Sequence, residues 1–218
     1  MKVIVTGSTG MVGKAILLEC LDDDRITEVL VLNRRSLEIQ HAKLKEVIIE
    51  DFFHLTSVDF SSYDACFHAM GVSSVGMNEE KYNRFTFDVT TALVEKLYKT
   101  NQKTVFNYVS GQGTDSTEKG KLMWARVKGK TENMILNKGF KDAYMFRIGG
   151  LIPEKGVKSK TKWVNLTYFI FKPVLFILRK PLHLVGSSNV GKAMINTLFF
   201  AQEEKILNNK KILEISMK

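Results

Sequence analysis

The chain has 218 residues, 44% hydrophobic and 25% charged, a balance that excludes a disordered, collagen-like or membrane-embedded protein and suits one soluble core with a small appended lobe. Cys20 and Cys66 are its two cysteines; each lies inside a regular apolar run, so reduced buried thiols are expected, with no disulfide framework and no metal site. The formal charge of +9 is concentrated, because Lys119 to Lys162 carries twelve Lys or Arg against three acids while the rest of the chain balances.

From the N-terminus, Lys2–Val5 is a β-branched apolar run that reads as a buried strand. It is too short for a secretory signal, and the cytoplasm is the expected compartment. The strand leads into Gly7, Gly10 and Gly13 and then an amphipathic segment, Lys14–Leu21. Strand, glycine turn and helix in that order form a dinucleotide-binding turn. Gly7 releases the chain from the strand, Gly10 removes a Cβ where a pyrophosphate must approach, and Gly13 allows close helix packing on the sheet. Phosphates would sit on the unpaired N–H groups that open the helix, so Thr9, Met11 and Val12 join the glycines as cofactor-contacting positions.

Val29–Leu32 is a second strand, ending in Asn33, Arg34 and Arg35. A site that prefers NAD places a carboxylate here against the ribose 2′-hydroxyl; two guanidiniums and no acid favour NADP(H) over NAD(H). Glu46–Ile49 and Asp64–Met70 are the third and fourth strands, and Ala69, Met70 and Gly71 would line the ribose and nicotinamide. His68 is read in two ways, as a satisfied core residue and as a group that titrates near neutrality. Tyr82–Lys99 is a helix with Phe85, Val89, Ala92, Leu93 and Leu97 on its sheet-facing side. Thr104–Ser110 is a fifth strand, Glu118–Leu136 a helix with Trp124 and Lys128 on one side, and Ala143–Ile148 a sixth strand.

After Gly149 and Gly150 the alternation stops. Trp163–Arg179 is strongly apolar but interrupted by Lys172 and Pro173, too short and broken to span a bilayer. A lid or subunit-contact helix is the leading reading and a peripheral membrane contact the lesser one. Asn189–Phe200 reads as a last helix. The whole pattern is that of an α/β doubly wound parallel sheet, a Rossmann fold, with ligands at the carboxyl ends of its strands. One NAD(P)-binding domain would span 1–218, its core about 1–150 and a small C-terminal helical lobe about 151–218.

Thr6-Gly7-x-x-Gly10-x-x-Gly13 resembles the fingerprint of extended and atypical short-chain dehydrogenase/reductases. Val109–Asp115, followed by Trp124–Glu132, resembles the atypical branch related to the Tat-interacting oxidoreductase-like and nucleoside-diphosphate-sugar epimerase-like proteins, with its serine, Gly-x-Asp turn and Lys-Gly-x-x-Glu helix. Phe146-Arg147-Ile148-Gly149 resembles the Phe-Arg-Pro-Gly of that group, with Ile148 in place of proline. The resemblance runs in order over about residues 1 to 200. It implies that Asp51 and Phe52 bracket adenine, that Arg147 belongs to the cofactor site, and that Ser110 and Lys128 are two members of a serine, tyrosine and lysine set.

The tyrosine's place is taken by Trp124, whose indole donates a hydrogen bond but does not ionise usefully as an acid or base. Proton transfer would then need His68, Asp115 or water, or Trp124 would stack on nicotinamide or substrate in a different reaction, or no reaction would occur. Lys128 anchors ribose and phosphate in each case. Two functions are therefore expected in parallel. One is an NADP(H)-dependent oxidoreductase or epimerase-like enzyme acting on a small carbonyl, alcohol or sugar-like substrate; the other is a catalytically silent NADP(H)-binding module. The expected partners are a small molecule and a second copy of the chain; nucleic acid is not expected, since no recognition motif accompanies the lysines.

Overall fold

The computed structural model describes residues 1–55, 58–157 and 184–218. Seven parallel strands form one sheet in the order β3-β2-β1-β4-β5-β6-β9: β1 Lys2–Thr6, β2 Glu28–Asn33, β3 Leu44–Ile48, β4 Ala65–His68, β5 Val105–Gly111, β6 Asp142–Ile148 and β9 Ile206–Asn208. Between β6 and β9, β7 Leu151–Ile152 and β8 Val185–Gly186 pair in parallel as a separate ribbon. The chain reverses its direction of progress across the sheet after β3, so the strand ends of β1 and β4 flank a switch point, where α/β sheets bind ligands.

Alternation along β1 divides the interior into two layers. Val3 and Val5 face the side covered by α1 Met11–Asp22, α5 Ser187–Asn196 and α6 Asn209–Ser216, packing with Ile16, Leu17, Met194 and Ile215. Ile4 faces the other side, with Leu93, Leu97, Phe106 and Ile135 of α3 Val89–Thr100, β5 and α4 Met123–Leu136. Central strands are buried on both faces, which is why they read as continuous apolar runs. Cys20 and Cys66 are buried free thiols whose pKa values burial pushes up.

The structure departs from the periodicity in three places. The predicted helix 82–99 is α2 Glu79–Asn83, a π-helical turn Arg84–Asp88 and then α3. A π turn inserts one extra residue and rotates everything before it about the helix axis. Phe85 is consequently exposed, while Tyr82, Thr86 and Thr90 face inward with Val89 and Leu93. The helix expected from Glu118 begins at Met123, because residues 115–120 form a turn held by the Asp115 carboxylate, with Glu118 at φ 61°. The strand β9 has one buried residue, Leu207, too little pattern to announce it. Trp163–Arg179 lies outside the described residues. No helix among the described residues is long and apolar enough to cross a membrane.

Candidate cofactor site and active site

The glycine turn is built by exclusion of side chains. Gly7 has φ +71°, and a Cβ there would stand 2.5 Å from the carbonyl carbon and oxygen of Ala69 and 2.7 Å from the Met70 nitrogen. The turn therefore rests directly on the chain leaving β4. A Cβ on Gly13 would stand 2.2 Å from the Gly7 oxygen and 2.9 Å from the Ser8 nitrogen, so its neighbour is the turn itself, where the sequence pointed to the sheet. Gly10 is the N-cap of α1, in extended conformation with no side-chain cap, and its N–H donates to the Gly7 oxygen at 2.8 Å. Its backbone is left bare where the helix opens with Met11 and Val12. The first turn of α1 contains no acid, so that turn itself does not oppose an anion at the positive end of the helix. A bare glycine cradle at a helix N-terminus fits a dinucleotide pyrophosphate.

Next to the cradle, Ser8 Oγ donates to Asn33 Oδ1 at 2.7 Å, and Asn33 Nδ2 donates to Glu46 Oε1 at 3.1 Å. Glu46 also accepts from Ser36 Oγ at 2.6 Å and from the Leu37 N–H at 3.0 Å. Partial burial raises this carboxyl's pKa, but the hydrogen bonds from Ser36, Asn33 and Leu37 outweigh it and leave a net lowering. Asn33, expected at the cofactor, is buried with its amide engaged between turn and loop. Arg34 and Arg35 are exposed, and no ion pair is formed by either among the described residues. Glu46, the acid that ties this loop down, comes from β3, opposite Val31, so the residues at the end of β2 do not announce it.

At the end of β3, Asp51 accepts from the Phe53 N–H at 2.9 Å and from His54 Nδ1 at 2.9 Å, and those bonds hold its carboxyl below the usual range. Phe52 does not face the cleft beside it. The ring is buried with Leu55, Val58 and Phe60, and the exposed aromatic is Phe53, with the Arg84 guanidinium 5.9 Å from its centroid. Beyond β4, Gly71 has open space on its Cβ side, while Met70 packs on the second core layer.

His68 is fully buried, with Nδ1 2.7 Å from Thr6 Oγ1 and Nε2 3.0 Å from Thr90 Oγ1, and it stacks on Tyr108. Burial, aided by the charge of Lys128, pulls its pKa down to about 3. It is a neutral core histidine. The Asp115 carboxylate accepts from the Thr117 hydroxyl and N–H and from the Gly120 N–H, which lowers its pKa and leaves it ionised. Neither group suits the proton donation considered for it.

Ser110, at the end of β5, is 5% exposed, and its Oγ lies 2.9 Å from Thr114 Oγ1. The Trp124 indole lies along the following turn: Cβ positions on Gly111 and Gly113 would be 3.8 and 3.4 Å from its six-membered ring. Gly113 has φ +89°. Lys128, one helical turn after Trp124, reaches Tyr108 Oη at 3.5 Å, with its Nζ 5.2 Å from that ring's centroid. Burial lowers the Lys128 pKa, and Tyr82 and Glu132 partly offset this. A Cβ on Gly129 would come within 1.8 Å of the Asp115 oxygen, which explains the Lys-Gly pair: the serine-bearing turn sits on α4 at that glycine.

Arg147 lies next to Ser110 across the β5–β6 register, but its guanidinium grips Glu132, with Nε 3.1 Å from both carboxylate oxygens and Nη2 2.5 Å from Oε2, and it also bonds Ser116 Oγ. Glu132 is completely buried. The arginine expected at the cofactor thus ties β6 to α4. Tyr108 and Tyr82 were the residues missed here; each sat in a run that read simply as core. Among the described residues no group of three or more His, Cys, Asp or Glu is placed to hold a metal.

Residues 3–122 match the NAD dependent epimerase/dehydratase family. The chain belongs to that family. It is 25% identical over 219 residues to the protein HTATIP2 of Rattus norvegicus, covering 98% of this chain and 88% of that one. Among solved structures, a glucuronic acid dehydrogenase from Chromohalobacter salexigens superposes with a TM-score of 0.65 at 15% identity, covering 95% of this chain and 75% of that chain. A UDP-glucuronic acid 4-epimerase from Bacillus cereus, solved in complex with NAD, gives 0.62 at 15% identity over 95% of this chain and 76% of that chain. These structural likenesses establish the Rossmann fold, and family membership makes the chain an NAD(P)-binding, oxidoreductase- or epimerase-like protein.

Proposed function

We propose that this protein is an NADP(H)-dependent oxidoreductase acting on a small carbonyl or alcohol substrate held over Ser110. The observation that carries the reading is the joint presence, at the carboxyl end of one sheet, of the bare glycine cradle, Ser110 and a partly buried Lys128. Gly7, Thr9, Gly10, Met11, Val12 and Gly13 would hold the pyrophosphate, and Ala69, Met70 and Gly71 would pass beside the nicotinamide ribose. Arg34 and Arg35, exposed and forming no ion pair among the described residues, would supply guanidiniums for a 2′-phosphate, and Glu46 holds their loop through Asn33 and the Leu37 N–H. The bound nicotinamide supplies or accepts hydride. Ser110 Oγ orients the substrate oxygen, Trp124 walls the pocket, and Lys128 Nζ fixes the ribose.

The packing of Trp124 on Gly111 and Gly113 favours a second reading, a silent NADP(H)-binding protein, because the indole fills the position of the proton-donating phenol. NADPH oxidation with a panel of aldehydes, ketones and a quinone separates the two. The enzyme reading expects turnover that Ser110→Ala reduces by about 10- to 100-fold with NADPH affinity retained. Tight NADPH binding with no turnover on any member of the panel would leave the silent reading standing.

A further inference from the structure

The reductase reading needs a proton for the substrate oxygen, and the groups around Lys128 can be taken in turn. From β4, His68 is neutral at physiological pH and bonded at both ring nitrogens to threonines. From the β5–α4 turn, Asp115 is ionised and bound by its own turn. From α4, Glu132 is bound to Arg147. From β5, Tyr108 is fully buried, and burial together with the Glu132 charge pushes its phenol up, away from acidity. From α2, Tyr82 is 2% exposed, and its helix is pinned to α4 by the Glu79–Arg126 ion pair at 2.6 Å.

Lys128 differs from all of these. Its Nζ forms no ion pair among the described residues and has the phenol oxygen of Tyr108 as its hydrogen-bond acceptor at 3.5 Å. A phenol oxygen orients an ammonium without neutralising it, as a carboxylate would.

We propose that Lys128, besides anchoring the cofactor, is the general acid of this site, taking over the proton transfer that Trp124 cannot perform. A substrate carbonyl that gains hydride at carbon from NADPH gains its proton at oxygen from Lys128 Nζ; one N–H bond breaks, one O–H bond forms, and the neutral amine left behind is reprotonated from solvent. Burial depresses the lysine's pKa, the direction that makes an ammonium a better acid near neutrality. Tyr108 is the positioning residue: its phenol oxygen holds Nζ, and it stands two residues before Ser110 on β5, on the same face of the strand. The inference rests on the reductase reading above.

Two measurements test it. In the first, the lysines of the intact protein are reductively methylated with 13C, their NMR signals are followed against pH, and Lys128 is assigned by its loss in Lys128→Arg. The Lys128 signal is expected to titrate below the exposed lysines; titration together with them would overturn the proposal. In the second, NADPH oxidation is followed on the same carbonyl panel. Lys128→Arg is expected to bind NADPH within several-fold of wild type yet lose turnover by about 100-fold or more, and Lys128→Ala to be partly rescued by added primary amines, faster with more acidic ones. Full turnover by Lys128→Arg in an active enzyme would remove this role and leave the reductase reading intact, whereas a wild type that binds NADPH and reduces nothing would remove both.

Discussion

Glu132→Gln isolates the buried ion pair that joins α4 to β6. The Glu132 carboxylate has no solvent exposure and accepts from Arg147 Nε and Nη2, while the arginine side chain is 19% exposed. Removing one charge strands the other in a poorly solvated place, which costs about 3–5 kcal/mol for a buried pair. Because the Arg147 side chain keeps some solvent, the lower end, about 3 kcal/mol, is expected here. With a urea slope of about 2–3 kcal/mol per molar for a chain of this size, the denaturation midpoint should fall by about 1–1.5 M. The double variant Glu132→Leu with Arg147→Met leaves neither charge uncompensated and should lose less than Glu132→Gln alone. It should also bind NADPH like wild type, since the guanidinium faces the carboxylate and not the cleft. A midpoint shift under about 0.3 M for Glu132→Gln, or a double variant whose loss equals the sum of the single losses, would refute the pairing argument.

Gly13→Ala places a methyl where the Gly7 oxygen already lies, 2.2 Å from the new Cβ. It should destabilise the protein by about 1–3 kcal/mol and reduce NADPH affinity more than ten-fold, read by calorimetry on protein shown to be folded. His68 lowers acid stability. Its pKa falls from an ordinary 6.5 to about 3 on folding, so the unfolded chain binds a proton that the native state refuses, and stability is lost as pH drops below 6.5 toward 3. Between pH 7 and 5 this amounts to about 2 kcal/mol, and urea titrations of His68→Gln should show that part of the pH dependence missing. An unchanged pH dependence would mean that His68 is protonated in the folded state.

Much of the sheet was legible because its central strands are buried on both faces and so appear as uninterrupted apolar runs, such as Lys2–Val5 and Val29–Leu32. The glycine turn was equally clear, since Gly7 and Gly13 occupy places where any Cβ would clash with backbone atoms. Local patterns failed where a non-local contact decided the outcome. The π turn at Arg84–Asp88 moved Phe85 to solvent and Tyr82 inward, and Phe52 and Phe53 are indistinguishable until the loop is seen packing on Phe60. Arg147 and Glu132 are 15 residues apart on a strand and a helix, and only their meeting shows that the arginine serves the scaffold. Glu46 was hidden for the same reason, reaching the Arg34–Arg35 loop from a neighbouring strand.

Calorimetric titration with NADPH, NADP⁺, NADH and NAD⁺, on wild type and on Arg34→Ala and Arg35→Ala, decides whether this protein binds NADP(H) through its two arginines. The two forms with a 2′-phosphate are expected to bind more tightly than their counterparts, by about ten-fold or more for a bidentate guanidinium contact, and the arginine variants to lose that margin while binding NADH as before. Equal affinity for all four, unaltered in either variant, would contradict a 2′-phosphate site at Arg34 and Arg35.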